Sequence, residues 1–394
     1  MKIPFNKSSL TGHEMEYMAA LLRKGDLSSD GEFSQKCTAL LEQKYSIHRV
    51  LLTPSCTSAL EMAGMLCDLR PGDEVILPSY TFPSTANAIV RLGAIPVFVD
   101  IRPDTLNIDE DLIEVAITDR TKAIIAVHYA GVSCNMDRLV ALARKYELTL
   151  LEDAAQGVNA FTDNQALGSI GALGAYSFHS TKNYGCGEGG ALCVNSPALV
   201  ERAEIIREKG TNRTKFLRGD IDRYSWVDIG SSYVPSEIVS AFLLAQLETI
   251  ESTTQKRKTI FEFYNYHLNH LQDYGLMRLP FIPRNCRTNY HLYYLLLPTA
   301  ELRTELMTYL NEMEIGATSH YVPLHTSPMG RTFGYETGDL PVTEDLSKRL
   351  LRLPIYPNLS EPEQMKIISE IKSFMLQRQV LKTQANVIVR GREL

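Results

Sequence analysis

Two short segments hold the residues best equipped for chemistry: Glu152-Asp153-Ala154-Ala155-Gln156-Gly157 and Ser177-Phe178-His179-Ser180-Thr181-Lys182-Asn183. The first puts a carboxylate at the end of an apolar run. The second carries a lysine ahead of a glycine-rich stretch, Gly185, Gly187, Gly189 and Gly190. A strand-end Asp and a loop Lys suit one cofactor in particular. Pyridoxal phosphate needs a Lys to form a Schiff base and an Asp to pair with its pyridinium nitrogen. The Asp keeps that nitrogen protonated, so the ring withdraws electrons from a substrate carbanion. The displaced Lys then becomes the base that moves a proton between carbons. Taken singly, each residue also has a plainer reading, a turn Asp and a surface Lys.

The phosphate needs a seat. Thr53-Pro54-Ser55-Cys56-Thr57-Ser58-Ala59-Leu60 places small hydroxyl residues at the start of a predicted helix, where free amides and the helix dipole favour an anion. A plain Ser/Thr N-cap explains the same residues locally.

The elements that must position these groups follow from the apolar pattern. Val75–Leu77, Ile95–Val99, Ala123–Val127 and Leu148–Leu151 read as buried strands, each too short for a helix and closed by a polar or turn residue. Between them lie helical stretches such as Met136–Tyr146, with Leu139, Leu142 and Ala143 on one face. That alternation predicts an α/β fold with a mainly parallel sheet covered on both sides. It also places Asp100, Glu152 and Asp153 at strand C-termini, the edge where such sheets bind ligands. Residues 175–178 and 191–194 read as two strands around the glycine-rich turn, and 236–248 as a helix. Near 250 the chain turns polar and basic (Gln255, Lys256, Arg257, Lys258) and then helical. The expected organisation is a large domain over 1–250, a smaller C-terminal α+β domain over 251–380 and a polar tail over 381–394.

With 394 residues, a net charge of −6 and 44% hydrophobic residues, the chain has the makeup of a globular protein. Overall acidity argues against general nucleic-acid binding. No apolar run approaches the roughly 20 residues of a membrane helix, and the first residues lack a signal-peptide core, so the cytoplasm is the expected compartment. The seven Cys form no CxxC pair, which predicts reduced thiols and no metal site.

Six segments in order resemble the DegT/DnrJ/EryC/StrS sugar aminotransferases: Pro54–Leu60, Pro78–Phe82, Glu152–Gln156, Ser177–Asn183, Gly187–Gly190 and His320–His325. The likeness runs from Pro4 to about residue 375. It implies a fold-type I, pyridoxal-phosphate-dependent aminotransferase acting as a homodimer with shared active sites. Lys182 would carry the Schiff base, Asp153 would pair with the ring nitrogen and Gln156 would contact the ring hydroxyl. Thr57, Ser58 and Ser177 would hold the phosphate, and Phe82 would stack on the ring, where an ordinary core Phe is the alternative. His179, His320 and Tyr321 would approach the substrate, with His128 beside the cleft. Glu188 reads better as a turn residue than as an acid. The loop Leu27–Gly31 falls in a region that meets substrate in the family, and an exposed turn explains it equally.

The resemblance further implies L-glutamate as amino donor and a dTDP-keto-sugar, dTDP-4-keto-6-deoxy-D-glucose, as acceptor. Amination at carbon 3, or the gluco product at carbon 4, remains open. Lys182 argues against the dehydrating branch, which has His there, and the intact set of cofactor residues argues against a non-catalytic binder. There is one departure. Many relatives place an Asn in the loop that reaches the partner subunit's phosphate; here Val234 stands at that position and cannot donate that bond, leaving Ser231 or Arg213 as candidates.

Overall fold

A computed structural model describes residues 2–390, with side chains through Arg378. Seven strands form the central sheet: β1 (Arg49–Thr53), β2 (Glu74–Pro78), β3 (Ile95–Val99), β4 (Thr121–Val127), β5 (Thr149–Asp153), β6 (Leu173–Ser177) and β7 (Gly190–Val194). Their order is β1-β7-β6-β5-β4-β2-β3. The run from β3 to β6 is parallel, and β7 is inserted antiparallel between β6 and β1.

Both faces of this sheet are covered, which is why β2, β6 and β7 are buried at every position. The two-residue period divides the strands between cores. Val75, Leu77, Ile125 and Val127 pack on one face with Ala59, Met62 and Ala63 of the helix Cys56–Leu66. Ile76, Ile124 and Ala126 pack on the other with Leu139 and Leu142 of the helix Met136–Lys145.

A second core lies further along the chain. Strands β8 (Tyr293–Leu296) and β9 (Leu350–Leu353) form an antiparallel pair. Tyr293, Leu295, Leu351 and Leu353 pack with Ile260, Tyr264, Leu268, Leu306 and Ile371. Ile3 joins this core through a bridge to Ile315. The opposite face of the pair, with Tyr294 and Leu296, packs against Tyr80 and Tyr129. Arg352 shares that opposite face by the same period.

Three local features differ from the sequence pattern. The basic stretch 255–258 is not a polar connection: it lies within the helix Ile250–Asp273, and Arg257 is buried there. Ile250 packs in the core under β1, β6 and β7 while Ile260 packs in the second core, so this helix runs from one to the other. The final helix spans Glu361–Arg390, so residues 381–390 of the expected polar tail are helical; residues 391–394 lie outside the described residues.

The loop before the helix Glu32–Tyr45 is fixed from a distance. No side chain of its own caps that helix. Instead the buried Glu237 carboxylate accepts the amides of Gly31 (3.1 Å), Phe33 (2.8 Å) and Ser34 (3.1 Å), and the Ser34 hydroxyl donates to it as well. Arg207 pins the same loop, donating to Asp30 at 2.8 and 2.6 Å and to the Leu52 carbonyl at 2.9 Å. Glu237→Ala would strand several buried donors, and should lower unfolding free energy by about 3 kcal/mol. Urea titration followed by circular dichroism measures this; an unchanged midpoint would contradict the capping role.

Candidate active site

The strand C-termini and the helix start converge on a cavity of about 740 Å³. Its lining includes Thr57, Phe82, Asp153, Gln156, Ser177, His179, Lys182, His320 and Tyr321. Ser58 is the one expected site residue absent from that lining. Its amide and hydroxyl are engaged by Ser55, at 3.1 and 3.0 Å, so it serves the N-cap of its helix.

Asp153 closes β5 and is buried. Its Oδ2 accepts the Thr85 hydroxyl at 2.7 Å and its Oδ1 accepts the Ala155 amide at 3.1 Å. Thr85 is itself paired with Thr81 at 2.8 Å. These contacts fix the carboxylate on the helix Pro83–Val90 and the chain that precedes it.

Lys182 sits just past β6 in a loop pinned by Asn183. The Asn183 amide donates to the Asn289 carbonyl at 2.8 Å, and its Oδ1 meets His291 Nδ1 at 2.9 Å. Lys182 Nζ itself makes no hydrogen bond or ion pair among the described residues. Burial lowers its pKa below that of an ordinary lysine; Asp153 opposes the shift and the Arg352 guanidinium reinforces it.

The helix Cys56–Leu66 points its N-terminus into the cavity. Ser55 satisfies the Ser58 amide, and the Cys56 and Thr57 amides have no partner among the described residues. Strand β7 lies hard against this start: a Cβ on Gly190 would fall 2.4 Å from the Cys56 nitrogen. The Ser177 hydroxyl lines the same end and accepts the His179 amide at 3.4 Å. Thr57 Oγ1 lies 2.7 Å from Ser84 Oγ.

The walls are aromatic. Phe82 is 56% exposed and lines the cavity, so it is not an ordinary core Phe. His320 stacks on Tyr321 with ring centroids 3.7 Å apart, and its Nδ1 lies 2.6 Å from the Tyr129 hydroxyl. Burial, with Arg352 and Lys182 nearby, holds His320 well below the usual histidine pKa and therefore neutral. Gln156 accepts the Ala130 amide at 2.7 Å and donates to the Tyr321 hydroxyl at 2.9 Å, so it also buttresses the wall.

His128 lines the cavity, but both ring nitrogens are committed. Its Nδ1 accepts the Cys134 amide at 3.2 Å, which leaves Nε2–H to donate to Glu152 at 2.9 Å. Glu152 also collects the amides of Gly168, Ile170 and Gly171. This pair is scaffold. His179 and Glu188 stand at the exposed rim, 3.6 Å apart. Asp30 in the loop 27–31 is held by Arg207. Val234 is half-buried, Ser231 is exposed, and Arg213 faces Glu208 at 3.4 Å. The lining residues that escaped the sequence reading include two arginines, Arg257 and Arg352.

These groups fit pyridoxal phosphate. An unpartnered amine can take an aldehyde, a fixed carboxylate can pair with a ring nitrogen, and two open helix amides with the Thr57 and Ser177 hydroxyls can receive a phosphate. Among the described residues no group of three or more His, Cys, Asp or Glu is placed to hold a metal ion, all seven cysteines are free, and no helix is long and apolar enough to cross a membrane.

Comparison with known proteins agrees with the geometry. The family model for the DegT/DnrJ/EryC1/StrS aminotransferases matches residues 8–372. The chain is 32% identical over 384 residues to the spore coat polysaccharide biosynthesis protein SpsC of Bacillus subtilis, covering 95% of this chain and 97% of that one. It is 31% identical over 376 residues to GDP-perosamine synthase of Escherichia coli O157:H7, covering 94% and 98%. Among solved structures it resembles the sugar aminotransferase Spr1654 of Streptococcus pneumoniae in its PLP form, with TM-score 0.88, 25% identity and coverage of 96% and 99%.

The lowered lysine pKa is open to direct test. In protein free of cofactor, Lys182 should react with a small amine reagent with a pH midpoint below the 10.5 of an ordinary lysine. Arg352→Met should raise that midpoint, because it removes a cation that disfavours the ammonium. Peptide-resolved mass spectrometry reads both; a midpoint equal to that of surface lysines would contradict the desolvation account.

Proposed function

The chain belongs to the DegT/DnrJ/EryC1/StrS aminotransferase family and is a pyridoxal-phosphate-dependent sugar aminotransferase, and from that premise we propose that it transfers the amino group of L-glutamate to carbon 4 of dTDP-4-keto-6-deoxy-D-glucose. The products are dTDP-4-amino-4,6-dideoxy-D-galactose and 2-oxoglutarate. The support for this acceptor is the likeness of Leu51–Thr57, Val127–Val132, Arg207–Arg213, Asp228–Tyr233 and Leu351–Pro354 to the transaminase that makes this sugar for enterobacterial common antigen. That reading places the enzyme in the cytoplasm.

One observation carries the chemistry: the Lys182 amine, free of partners, shares a cavity with an Asp153 carboxylate that is held in place by other groups. When bound, pyridoxal phosphate supplies an aldehyde to capture amines and a cationic ring that draws electrons from the carbon bearing the nitrogen. Lys182 anchors the cofactor at rest and, once released, carries a proton between donor and acceptor carbons. Its depressed pKa leaves more of it as the free amine at neutral pH. Asp153 keeps the ring nitrogen protonated, and Thr85 keeps Asp153 from turning toward the lysine. The Cys56 and Thr57 amides, with the hydroxyls of Thr57 and Ser177, hold the phosphate, while Phe82 covers the ring. Gln156 and Tyr321 brace the opposite wall, and neutral His320 offers its Nε2 to the sugar.

The working unit in this reading is a homodimer. Exposed apolar side chains cluster in sequence around the loop where relatives reach a partner subunit: Leu217 is 60% exposed, Trp226 79% and Ile229 56%. Sedimentation should report a dimer, and an active monomer would contradict it.

The acceptor is tested by incubating the holoenzyme with glutamate and each candidate keto sugar, then assigning the product by NMR. An axial amine at carbon 4 is expected. An amine at carbon 3, or an equatorial one at carbon 4, would replace this acceptor reading. Borohydride should fix the cofactor on Lys182 of the wild type and not on Lys182→Ala; failure of the wild type to trap cofactor would overturn the mechanism.

A further inference from the structure

Two guanidiniums, Arg257 buried and Arg352 half-buried, line the cavity without a countercharge. Arg257, 4% exposed, donates through Nε to the Tyr290 carbonyl at 3.0 Å and through Nη2 to the His291 carbonyl at 2.6 Å. Arg352 donates through Nε and Nη2 to the Ser319 carbonyl at 3.1 and 3.0 Å, and lies 4.8 Å over the Phe5 ring. Each spends two donors on backbone oxygens and leaves Nη1 without a partner among the described residues. Neither forms an ion pair with any described Asp or Glu. Elsewhere in this chain buried arginine finds its acid: Arg207 holds Asp30 at 2.6 Å.

A charge removed from water and left unpaired is costly, and carbonyl dipoles offset only part of that. The cavity's own acids do not meet it. Asp153 is engaged by Thr85 and Ala155. Glu188 is 71% exposed and faces His179 at the rim. The phosphate has its own seat at the start of the helix Cys56–Leu66, so it does not call on these arginines. What remains is a demand for two negative charges on something that enters the cavity and leaves again.

We propose that Arg257 and Arg352 are a pair of carboxylate receptors that select a dicarboxylic amino acid as amino donor, one guanidinium for each carboxylate. The proposal rests on the reading that this cavity carries out amino transfer. Each guanidinium plane is already oriented by its carbonyl contacts, and Arg352 by Phe5 as well. A planar fork held in this way recognises a carboxylate at little ordering cost. The diphosphate of a sugar nucleotide is the other anion this enzyme meets. The depth of Arg257 argues for the smaller ligand: it lies at the boundary with a second pocket of about 250 Å³ behind Lys182. A nucleotide must keep its base near the rim.

The test uses holoenzyme and two probes that cannot donate an amine. Glutarate stands for the dicarboxylate, and dTDP for the diphosphate. Calorimetry on Arg352→Met and Arg257→Met should show glutarate binding weakened about 10- to 100-fold, as expected for a lost hydrogen bond to a charged group, with dTDP binding changed less than about twofold. Arg352→Lys and Arg257→Lys should recover part of the loss, and they decide the matter if Arg257→Met does not fold. In the wild type, glutamate should convert the bound cofactor at far lower concentration than glutamine or alanine. Weakened dTDP binding with glutarate unaffected would assign the arginines to the nucleotide and overturn the proposal. Glutamine serving as well as glutamate, in an enzyme that still aminates the sugar, would overturn it while leaving the proposed function standing. Absence of transfer from every donor would remove the reading beneath it.

Discussion

An acid and an amine that share a cavity without touching set the terms for this structure. At contact, in surroundings of effective dielectric near 20, a carboxylate and an ammonium attract by about 4 kcal/mol. Had Asp153 and Lys182 collapsed together, the space between them would be lost. Each is held back by competing bonds: the Thr85 hydroxyl and Ala155 amide on the acid, and the Asn183 anchors on the lysine's loop. Each such bond contributes about 1 kcal/mol net, so several are needed. Desolvation of the lysine acts in the same direction, because a neutral amine is not drawn to the carboxylate.

The two cores supply the rigidity behind those bonds. Parallel strands buried on both faces bring the ends of β4, β5 and β6 to one edge. The antiparallel insertion of β7 brings Gly190 beside Ser177 and Thr53 at that same edge. From the second core, strand β9 sends Leu351 and Leu353 inward, and the residue between them therefore faces the other way. One alternation thus supports packing on one side and places Arg352 in the cavity on the other.

Much of this was legible in the chain itself. The apolar runs of β2 to β5 and their polar endings declared the parallel sheet and its binding edge, because both signals are local. The Lys182 and Asp153 pair was legible for the same reason: each stands in a short motif of restricted chemistry. Arg257 was not, because a basic tetrapeptide looks like solvated helix until the carbonyls of residues 290 and 291 are seen to surround it. Arg352 was hidden in plain strand sequence, and its neighbour Phe5 is hundreds of positions away. Glu237 caps a helix from across the chain, and no spacing rule finds such a partner. Ser58 shows how a local role can share a motif: its amide donates to the N-cap Ser55 hydroxyl and its own hydroxyl lies 3.0 Å from it.

The contact between Gly190 and the Cys56 nitrogen has a consequence for how such a protein can diversify. Any side chain there would drive the strand into a helix backbone that cannot yield, so the start of the helix Cys56–Leu66 tolerates almost no remodelling. Glu188, by contrast, sits at an open rim beside His179 with its side chain 71% exposed, where a change of residue disturbs little packing. A scaffold frozen at one end of its cleft and permissive at the other can acquire new sugars by drift at the mouth while its chemistry stays constant, and a laboratory search for altered acceptor range belongs at that mouth.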